Sequence, residues 1–414
     1  MKILFFAHDL VVCGTTVNAI ELAGALRDLH GHEVMLFATP GPMVKLVEEK
    51  GLRFLPAPAA RLHPSPARMR ALRDVVGREG PDLIHVWEWH QCLDAYYIEH
   101  LLMGVPMVLT DMSMTLRPLL PKALPTTFGT PELLDQARAA GHRRLELLLP
   151  PVDVHQNAPD AVDPQPFRKR YGVENRDLTL VTVSRLDTLM KAESLIRTVD
   201  AVRRLGRDLP LRLMIVGDGD MRAKLERLAV ETNAQLRRAA IVLTGALLDP
   251  RPAYAAADIV IGMGSSALRG MAFGKPVVIV GEQGFSAPLT PETAESFYYK
   301  GIYGQGDGST GNARLVADIC ALAERPEQLL GLGKFSRQFV VRHFSLETVG
   351  ARLAEFCRHA VVGGHLPPQK NVERRQRCRG FPPLRPAASD PQSCPRERIR
   401  LQCPHENQLR EQQT

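Results

Sequence analysis

Two kinds of hydrophobic pattern alternate along residues 1–150. Short runs that are apolar almost throughout, such as KILFFA at residues 2–7, are typical of strands covered on both faces. Longer stretches, such as VNAIELAGALRDLHG at residues 17–31, place apolar residues three and four positions apart, as one face of a helix requires. Strands that alternate with such helices predict βαβ units around a parallel sheet.

The alternation occurs twice, on either side of a segment rich in Pro, Asp and Asn at residues 147–173. Ser345 is expected to cap a last amphipathic helix. Strands are predicted at residues 2–7, 32–39, 52–58, 82–89 and 106–112, and then at 178–186, 211–219, 239–247, 258–264 and 275–284. Helices are predicted at residues 17–31, 43–51, 65–80 and 93–104, and then at 191–206, 221–234, 250–257 and 266–274.

The fold class is therefore α/β, with two Rossmann-like, doubly wound domains. Two such domains that face each other leave a cleft at the carboxyl ends of their strands, where α/β sheets bind ligands. A chain of 414 residues is long enough for two cores. The predicted parts are an N-terminal domain (1–165), a C-terminal domain (166–345), a closing helix (346–362) and a tail (363–414).

The net charge of +7 does not indicate a nucleic-acid partner, because residues 361–414 alone carry +5. This segment is rich in Pro, Arg and Gln, so we expect a disordered, solvated extension, with a basic arm for nucleic acid or membrane as the alternative. The seven cysteines form no CxxC pair and no metal spacing, which favours reduced thiols. With no signal peptide and no apolar run of about 18 residues, we expect a cytoplasmic protein.

Candidate phosphate ligands follow the strands after residue 173. Arg185 ends one strand and Lys191 begins the next helix, so both can face the cleft and bind a pyrophosphate. Solvated side chains at a helix start are the alternative. IVGDGD predicts a tight turn at Gly217, with Asp220 as the cap of the following helix.

A second phosphate site is predicted in GMGSSALRGMAFGKPVV. Its glycines let a ligand approach the backbone closely. Ser265 and Ser266 stand at a helix N-terminus, where free N–H groups and the helix dipole favour an anion.

The order of these segments resembles a known family. VSRL followed by Lys191, LRLMIVGDGDMRAKLERLA, IVLTGALLDPRPAYAAADIVIGMG and ALRGMAFGKPVV look like the donor domain of retaining glycosyltransferases of family 4, which have the GT-B fold. LLLPPVDV resembles the interdomain segment of that family, and the resemblance covers residues 1–360. It implies a donor that is a UDP- or GDP-linked sugar, with no cofactor and no metal ion.

The resemblance also assigns roles to residues of the C-terminal domain. Arg185 and Lys191 would hold the donor diphosphate and stabilise its charge as it leaves. The family has a Glu-x7-Glu element whose second Glu binds the donor ribose, but Arg269 stands there and the preceding loop is too short for the first Glu. Arg269 is expected to meet the diphosphate or a base edge, or else to lie on a solvated helix face. Glu282 is a candidate donor contact or a polar strand end. The donor site is further expected to use the backbone of Gly217, Gly264, Ser265, Ser266 and Ala267.

In the N-terminal domain, HDLVVCGTT resembles the Gly-rich loop between acceptor and donor, with Gly14 and Thr15 as contact points. The family usually has a histidine against the donor sugar, and Asp111 stands at or next to that place. It is a candidate catalytic residue that contacts a sugar hydroxyl or stabilises positive charge on an oxocarbenium-like centre, or else a structural strand end. The acceptor pocket is expected to use His85, Glu88 and His90. A basic helix with Arg61, Arg68, Arg70, Arg73 and Arg78 suggests peripheral membrane contact, or else plain solvent exposure.

We therefore predict a retaining glycosyltransferase that moves a sugar to a small-molecule, natural-product or lipid acceptor. In such enzymes the leaving phosphate can accept the proton of the acceptor, so no side chain need be the nucleophile. The missing carboxylates leave two alternatives open. One is a non-catalytic nucleotide-sugar-binding or auxiliary protein on the same fold, and the other is a sugar-nucleotide epimerase.

Overall fold

The computed structural model describes residues 1–308 and 311–362, which belong to one compact unit. The predicted tail at 363–414 lies outside the described residues. The described part contains two sheets, as the alternating pattern predicts, so the α/β class with two doubly wound domains is confirmed. No helix in residues 1–308 or 311–362 is long and apolar enough to cross a membrane.

The N-terminal sheet has seven parallel strands in the order β3-β2-β1-β4-β5-β6-β7. Strand β1 is flanked by β2 and β4, and its Ile3 to Phe6 are completely buried, because helices cover both faces of a doubly wound sheet. The strands are β1 (Lys2–Phe6), β2 (Glu33–Ala38), β3 (Arg53–Pro56), β4 (Leu83–Trp87), β5 (Met107–Asp111), β6 (Thr126–Phe128) and β7 (Leu145–Leu147).

The C-terminal sheet has six strands in the order β10-β9-β8-β11-β12-β13. All pairs are parallel except the last, in which β13 runs antiparallel to β12. The strands are β8 (Leu178–Val183), β9 (Leu211–Val216), β10 (Ile241–Gly245), β11 (Ile259–Gly262), β12 (Val277–Val280) and β13 (Ser286–Pro288).

In each sheet the strand order reverses once, between β1 and β4 and between β8 and β11. Loops leave the carboxyl ends of such neighbours in opposite directions and open a crevice for a ligand. The helices are α1 (Gly14–Asp28), α2 (Val44–Glu49), α3 (Pro66–Glu79), α4 (Glu88–Ala95), α5 (Pro131–Ala139), α6 (Gln165–Arg170), α7 (Ala192–Leu205), α8 (Arg222–Leu236), α9 (Arg251–Ala256), α10 (Ser265–Ala272), α11 (Pro291–Lys300), α12 (Ala313–Ala323), α13 (Pro326–Phe344) and α14 (Leu346–Val362). Helices α1, α4, α7 and α10 follow the four strands of the two crevices.

The structure differs from the predicted elements in three places. Helix α1 begins at Gly14 within the expected glycine loop, and in its first turn Thr16 is buried with its hydroxyl 3.0 Å from His8 Nε2. The predicted helix at 93–104 is α4 continued by a π-helical turn, Tyr96–Leu102. The elements β6, α5, β7, α6, β13, α11, α12 and α13 were not predicted, and the three new strands have only three residues each, too short to show a period.

The chain crosses back to its first half at the end of the described residues. Val152, in the linker after β7, accepts a hydrogen bond from Leu346 N–H and donates one to Phe344 C=O. The predicted cap is confirmed, since Ser345 Oγ accepts from the N–H of Thr348 at 3.1 Å. Helix α14 then packs on α1 so closely that a Cβ at Gly350 would lie 3.4 Å from Cβ of Ala25. The closing helix therefore belongs to the N-terminal sheet by packing.

Candidate functional site

A cavity of about 250 Å³ lies where the two crevices meet, with residues from both sheets in its wall. It brings together five of the residues that the sequence analysis assigns to the donor site: Gly14, Thr15, Lys191, Gly264 and Ser265. The starts of α1 and α10 approach each other closely, because a Cβ at Gly14 would lie 3.2 Å from Ser265 Oγ. A Cβ at position 14 would crowd the Ser265 hydroxyl, which would have to shift by a few tenths of an ångström.

The N-terminus of α10 reaches this cavity through Ser265, whereas the predicted donor residues Ser266 and Ala267 do not line it. Within the described residues no side chain caps the helix. The N–H groups of Ser265, Ser266 and Ala267 are the first of the helix and have no acceptor inside it. The amide of Gly264 is not free to bind a phosphate as predicted, because its N–H already donates to Ile302 C=O at 2.7 Å. Gly264 instead supplies a positive φ of 57°, which a side chain would strain.

Lys191 is the cation that the C-terminal sheet places in the cavity wall. Burial lowers the pKa of its ammonium to about 8, and the charge of Arg185 adds to this effect. Arg185 itself does not line the cavity. Its guanidinium lies 2.9 Å from the carboxylate of Asp187 and its side chain is 57% exposed. In this structure Arg185 therefore acts on the cavity through its charge.

The loop that carries Lys191 is held by Asp220. This carboxylate accepts from the N–H of Thr188 at 2.9 Å and from its hydroxyl at 2.6 Å. The prediction that Asp220 caps α8 is wrong, because the helix begins at Arg222 after Met221.

Gly217 also has a structural place and does not line the cavity, contrary to its predicted contact with the donor. Its φ is 146°, and a Cβ there would lie 1.8 Å from Ser184 C=O. Its N–H donates to Gly245 C=O at 3.0 Å. The residue is a glycine because the ends of β8 and β9 approach each other so closely.

Arg269 faces α1 and does not line the cavity, contrary to the expected donor contact. Burial raises the pKa of Glu21 on α1, and the charges of Lys50 and Arg269 oppose this. Arg269 stands one helical turn after Ser265, on the side of α10 that meets the N-terminal half of the chain.

Glu282 lies beside the cavity, next to Tyr303 in its wall. The hydroxyl of Tyr303 donates a short hydrogen bond to Glu282 Oε2. Burial and this bond raise the pKa of Tyr303, so the phenol stays protonated. The negative charge of Glu282 also reaches Lys191, whose pKa it raises against the effect of burial. The charge of a carboxylate therefore acts on the cavity lysine.

The loop that carries Glu282 is locked by α7. The carboxylate of Glu193 accepts from the N–H groups of Gln283 and Gly284 at 2.8 and 2.7 Å. Arg197 donates to the carbonyls of Gly284 and Phe285 at 2.7 and 3.0 Å. Gln283 has a φ of 51°, a conformation that costs free energy in a residue with a side chain and that persists only where its surroundings enforce it.

The predicted acceptor histidines do not reach the cavity. His85 is completely buried in β4, where its Nε2 lies 2.7 Å from Thr110 Oγ1. Burial lowers the pKa of His85 to about 3, so the ring is neutral, and its complete burial keeps it from contact with an acceptor sugar. His90 is exposed on α4 and packs against Trp89, with ring centroids 4.0 Å apart. Both placements correct the sequence-based expectation, because β4 is enclosed and α4 turns His90 outward.

Glu88 and Asp111 form a carboxyl pair behind the cavity wall. Asp111 is completely buried, so it cannot touch a donor sugar directly in this conformation. Its Oδ1 accepts from the N–H of Ser113, a cavity residue, whereas Oδ2 has no partner within the described residues. Burial, followed by the charge of Asp111, raises the pKa of Glu88 to about 7. Glu88 also has a φ of 70°, a second strained residue beside the site.

Two groups at the site were not predicted. Lys300 lines the cavity as the last residue of α11, a helix that the sequence analysis missed. Cys13 precedes α1, with its Sγ 3.1 Å from Thr16 Oγ1 and 3.5 Å from His8 Nε2. Burial would raise the pKa of this thiol, but the hydrogen bonds with His8 and Thr16 outweigh it and lower the pKa to about 6. The count of cysteines alone could not show this.

Comparison with known proteins agrees with the two-sheet architecture. Residues 12–143 match the profile of Glycosyltransferase Family 4, and residues 177–300 match that of Glycosyl transferases group 1. A GDP-mannose-dependent alpha-(1-6)-phosphatidylinositol monomannoside mannosyltransferase of Mycobacterium tuberculosis is 30% identical over 229 residues. That match covers 52% of this chain and 56% of the relative, so the chain spans little more than half of the curated relative's length.

Solved structures share the fold at low identity. A glycosyltransferase from Rickettsia africae has a TM-score of 0.67 at 14% identity, and covers 87% of this chain and 98% of its own. Anabaena HepE in complex with UDP has a TM-score of 0.66 at 16% identity, and covers 86% and 99%. The fold is therefore GT-B, with one Rossmann-like domain on each side of the cavity.

Proposed function

The chain belongs to the glycosyltransferases that these two profiles describe, and on this basis we propose that it transfers a sugar from a nucleoside-diphosphate sugar to an acceptor hydroxyl. One observation carries the proposal. Lys191 and Ser265, the first residue of α10, line a single cavity that also includes the start of α1 from the other sheet. A cation and a helix N-terminus together bind a diphosphate.

In the proposed mechanism the diphosphate is stabilised as it leaves. Lys191 neutralises the charge that develops on the phosphate oxygens, and the amides of Ser265 and Ser266 donate hydrogen bonds to them. The phosphate oxygen then accepts the proton of the acceptor hydroxyl on the same face of the sugar, which retains the anomeric configuration. Arg185 adds a positive charge from outside the cavity wall.

The relatives suggest the donor and the acceptor. The mycobacterial relative is named for GDP-mannose and phosphatidylinositol monomannoside, and HepE binds UDP. We propose that the acceptor can be a lipid. Exposed arginines of α3 would then make peripheral contact with an anionic membrane. Arg68 is not among them, because it is 1% exposed and its guanidinium binds Asp9 at 2.7 Å. Sedimentation with anionic vesicles measures this contact.

The proposal is tested with a panel of GDP- and UDP-sugars. We expect one donor to release its nucleoside diphosphate slowly in water and faster when a suitable acceptor is added. Binding of every donor tried without any release would indicate an auxiliary protein. Conversion of a donor to its epimer without an acceptor would instead indicate an epimerase.

We further propose that Glu282 contacts the ribose of the donor in place of the carboxylate missing at position 269. Glu282→Gln is expected to weaken GDP or UDP binding about tenfold, because hydrogen bonds to a charged group contribute about 1.5–3 kcal/mol. Calorimetry measures this, with Glu231→Gln on the exposed side of α8 as the matched control. A nucleotide without ribose hydroxyls should bind wild type and variant equally. Equal binding of the ordinary nucleotide would contradict the assignment.

A further inference from the structure

Methionines are concentrated in the cavity. Four of its 22 lining residues are methionine, whereas the whole chain of 414 residues has 13. Met112 and Met114 follow β5 of the N-terminal sheet, and Met190 and Met263 follow β8 and β11 of the C-terminal sheet. Thioether side chains therefore enter the cavity from both halves of the chain.

The four methionine side chains do not contribute to the binding of a diphosphate. A nucleoside diphosphate is held by cations and N–H donors, and a thioether supplies neither. Methionine is an unbranched, polarisable side chain that adapts to apolar surfaces of varied shape. Leu133, Ile302 and Phe344 extend the apolar wall around the four methionines. The cavity thus contains an apolar part beside the group of Lys191 and α10.

Two of the methionines leave apolar surface uncovered. Met114 is 54% exposed and Met190 is 41% exposed, although both line the cavity. Met190 also has a φ of 62°, a left-handed conformation that is rare in a residue with a Cβ. Strained residues of this kind persist where their surroundings enforce the conformation, and they cluster at functional sites. A ligand that covers these side chains gains binding free energy in proportion to the apolar area removed from water.

The geometry points to an acceptor that carries an apolar group, an alkyl chain or an aromatic ring, next to the hydroxyl that receives the sugar. This inference rests on the proposed transferase function. Lys191 and α10 take the diphosphate on the C-terminal side, which leaves the wall of Met112 and Met114 to the acceptor. The apolar group then packs between these two methionines and Met190.

The test uses methionine methyl NMR of the full chain with three probes of the same sugar: octyl, phenyl and methyl β-D-glucopyranoside. The octyl probe stays below its micelle concentration, and Met→Leu variants assign the signals. We expect octyl or phenyl glucoside to shift the methyl signals of Met112, Met114 and Met190, and to bind at least tenfold more tightly than methyl glucoside. A preference for octyl indicates a lipid-like acceptor, and a preference for phenyl an aromatic one.

Met114→Glu should weaken the apolar probe about tenfold and leave methyl glucoside unchanged. Leu119→Glu is the matched control, because Leu119 is on the same loop, is 74% exposed and does not line the cavity. Equal binding of all three probes, or equal loss in both variants, would overturn the inference. GDP and UDP are titrated separately. If neither perturbs the cavity signals, the proposed function fails, whereas the probe comparison still decides the apolar site.

Discussion

Replacing Lys191 by Ala is expected to lower kcat/KM for the donor by a factor of about 100 to 1,000, the effect typical of removing one group that stabilises a transition-state charge. The lysine is the cation of the C-terminal sheet in the cavity wall. Steady-state kinetics with the donor identified from the panel measure the loss. Lys224→Ala on the exposed side of α8 is the matched control. Equal rates for the two variants would show that the donor diphosphate does not bind at Lys191.

The same lysine predicts a pH dependence. The pKa of Lys191 in the free protein is lowered to about 8, first by burial and then by Arg185. As the pH rises past this value the ammonium loses its proton, so kcat/KM for the donor should fall above about pH 8. A bound diphosphate favours the charged form, so kcat should fall at a higher pH than kcat/KM. Lys191→Arg keeps its charge at all these pH values and should lose this dependence.

Arg185→Ala should cost less than Lys191→Ala. Arg185 is outside the cavity wall and its guanidinium already pairs with Asp187. Its removal also takes away a positive charge that lowers the pKa of Lys191, so the fall in kcat/KM should move to higher pH. An unchanged pH profile in Arg185→Ala would show that the two charges do not interact.

Gly217→Ala is expected to lower the free energy of unfolding by about 3 kcal/mol, among the larger effects of a single substitution. The new Cβ would lie 1.8 Å from Ser184 C=O at a φ of 146°, so the ends of β8 and β9 must separate. Denaturant unfolding measures the change. Gly77→Ala is the matched control, because Gly77 lies in α3 with no atom within 4 Å of the new Cβ.

The control Gly77→Ala should raise the free energy of unfolding by up to about 1 kcal/mol, since alanine favours a helix interior more than glycine does. Gly217→Ala should also reduce activity, because Ser184 is followed by the loop that carries Lys191. If Gly217→Ala unfolded at the same denaturant concentration as the wild type, the ends of β8 and β9 would be able to separate at little cost in free energy. The tight approach would then not be the reason for this glycine.

The sequence predicted the strands that are long and fully buried, because helices on both faces require nearly continuous apolar runs. It missed β6, β7 and β13, which have three residues each, and the helices from α11 to α13. With them it missed Lys300, whose place in the cavity depends on the end of α11. Short elements are held by their neighbours in the sheet and carry no periodicity of their own.

At the site, the sequence by itself determined which residues stand at the carboxyl ends of the strands next to the two crevices. Gly14, Lys191 and Ser265 are such residues, and they meet in one cavity because parallel strands end at the same edge of a sheet. Only the tertiary structure decided where the flanking side chains point. His85 is enclosed, Arg269 acts through its charge on Glu21 of α1, and Glu282 is bound by Tyr303 of the cavity wall. Strand position follows from local pattern, whereas the environment of a side chain depends on segments distant along the chain, which no local pattern records.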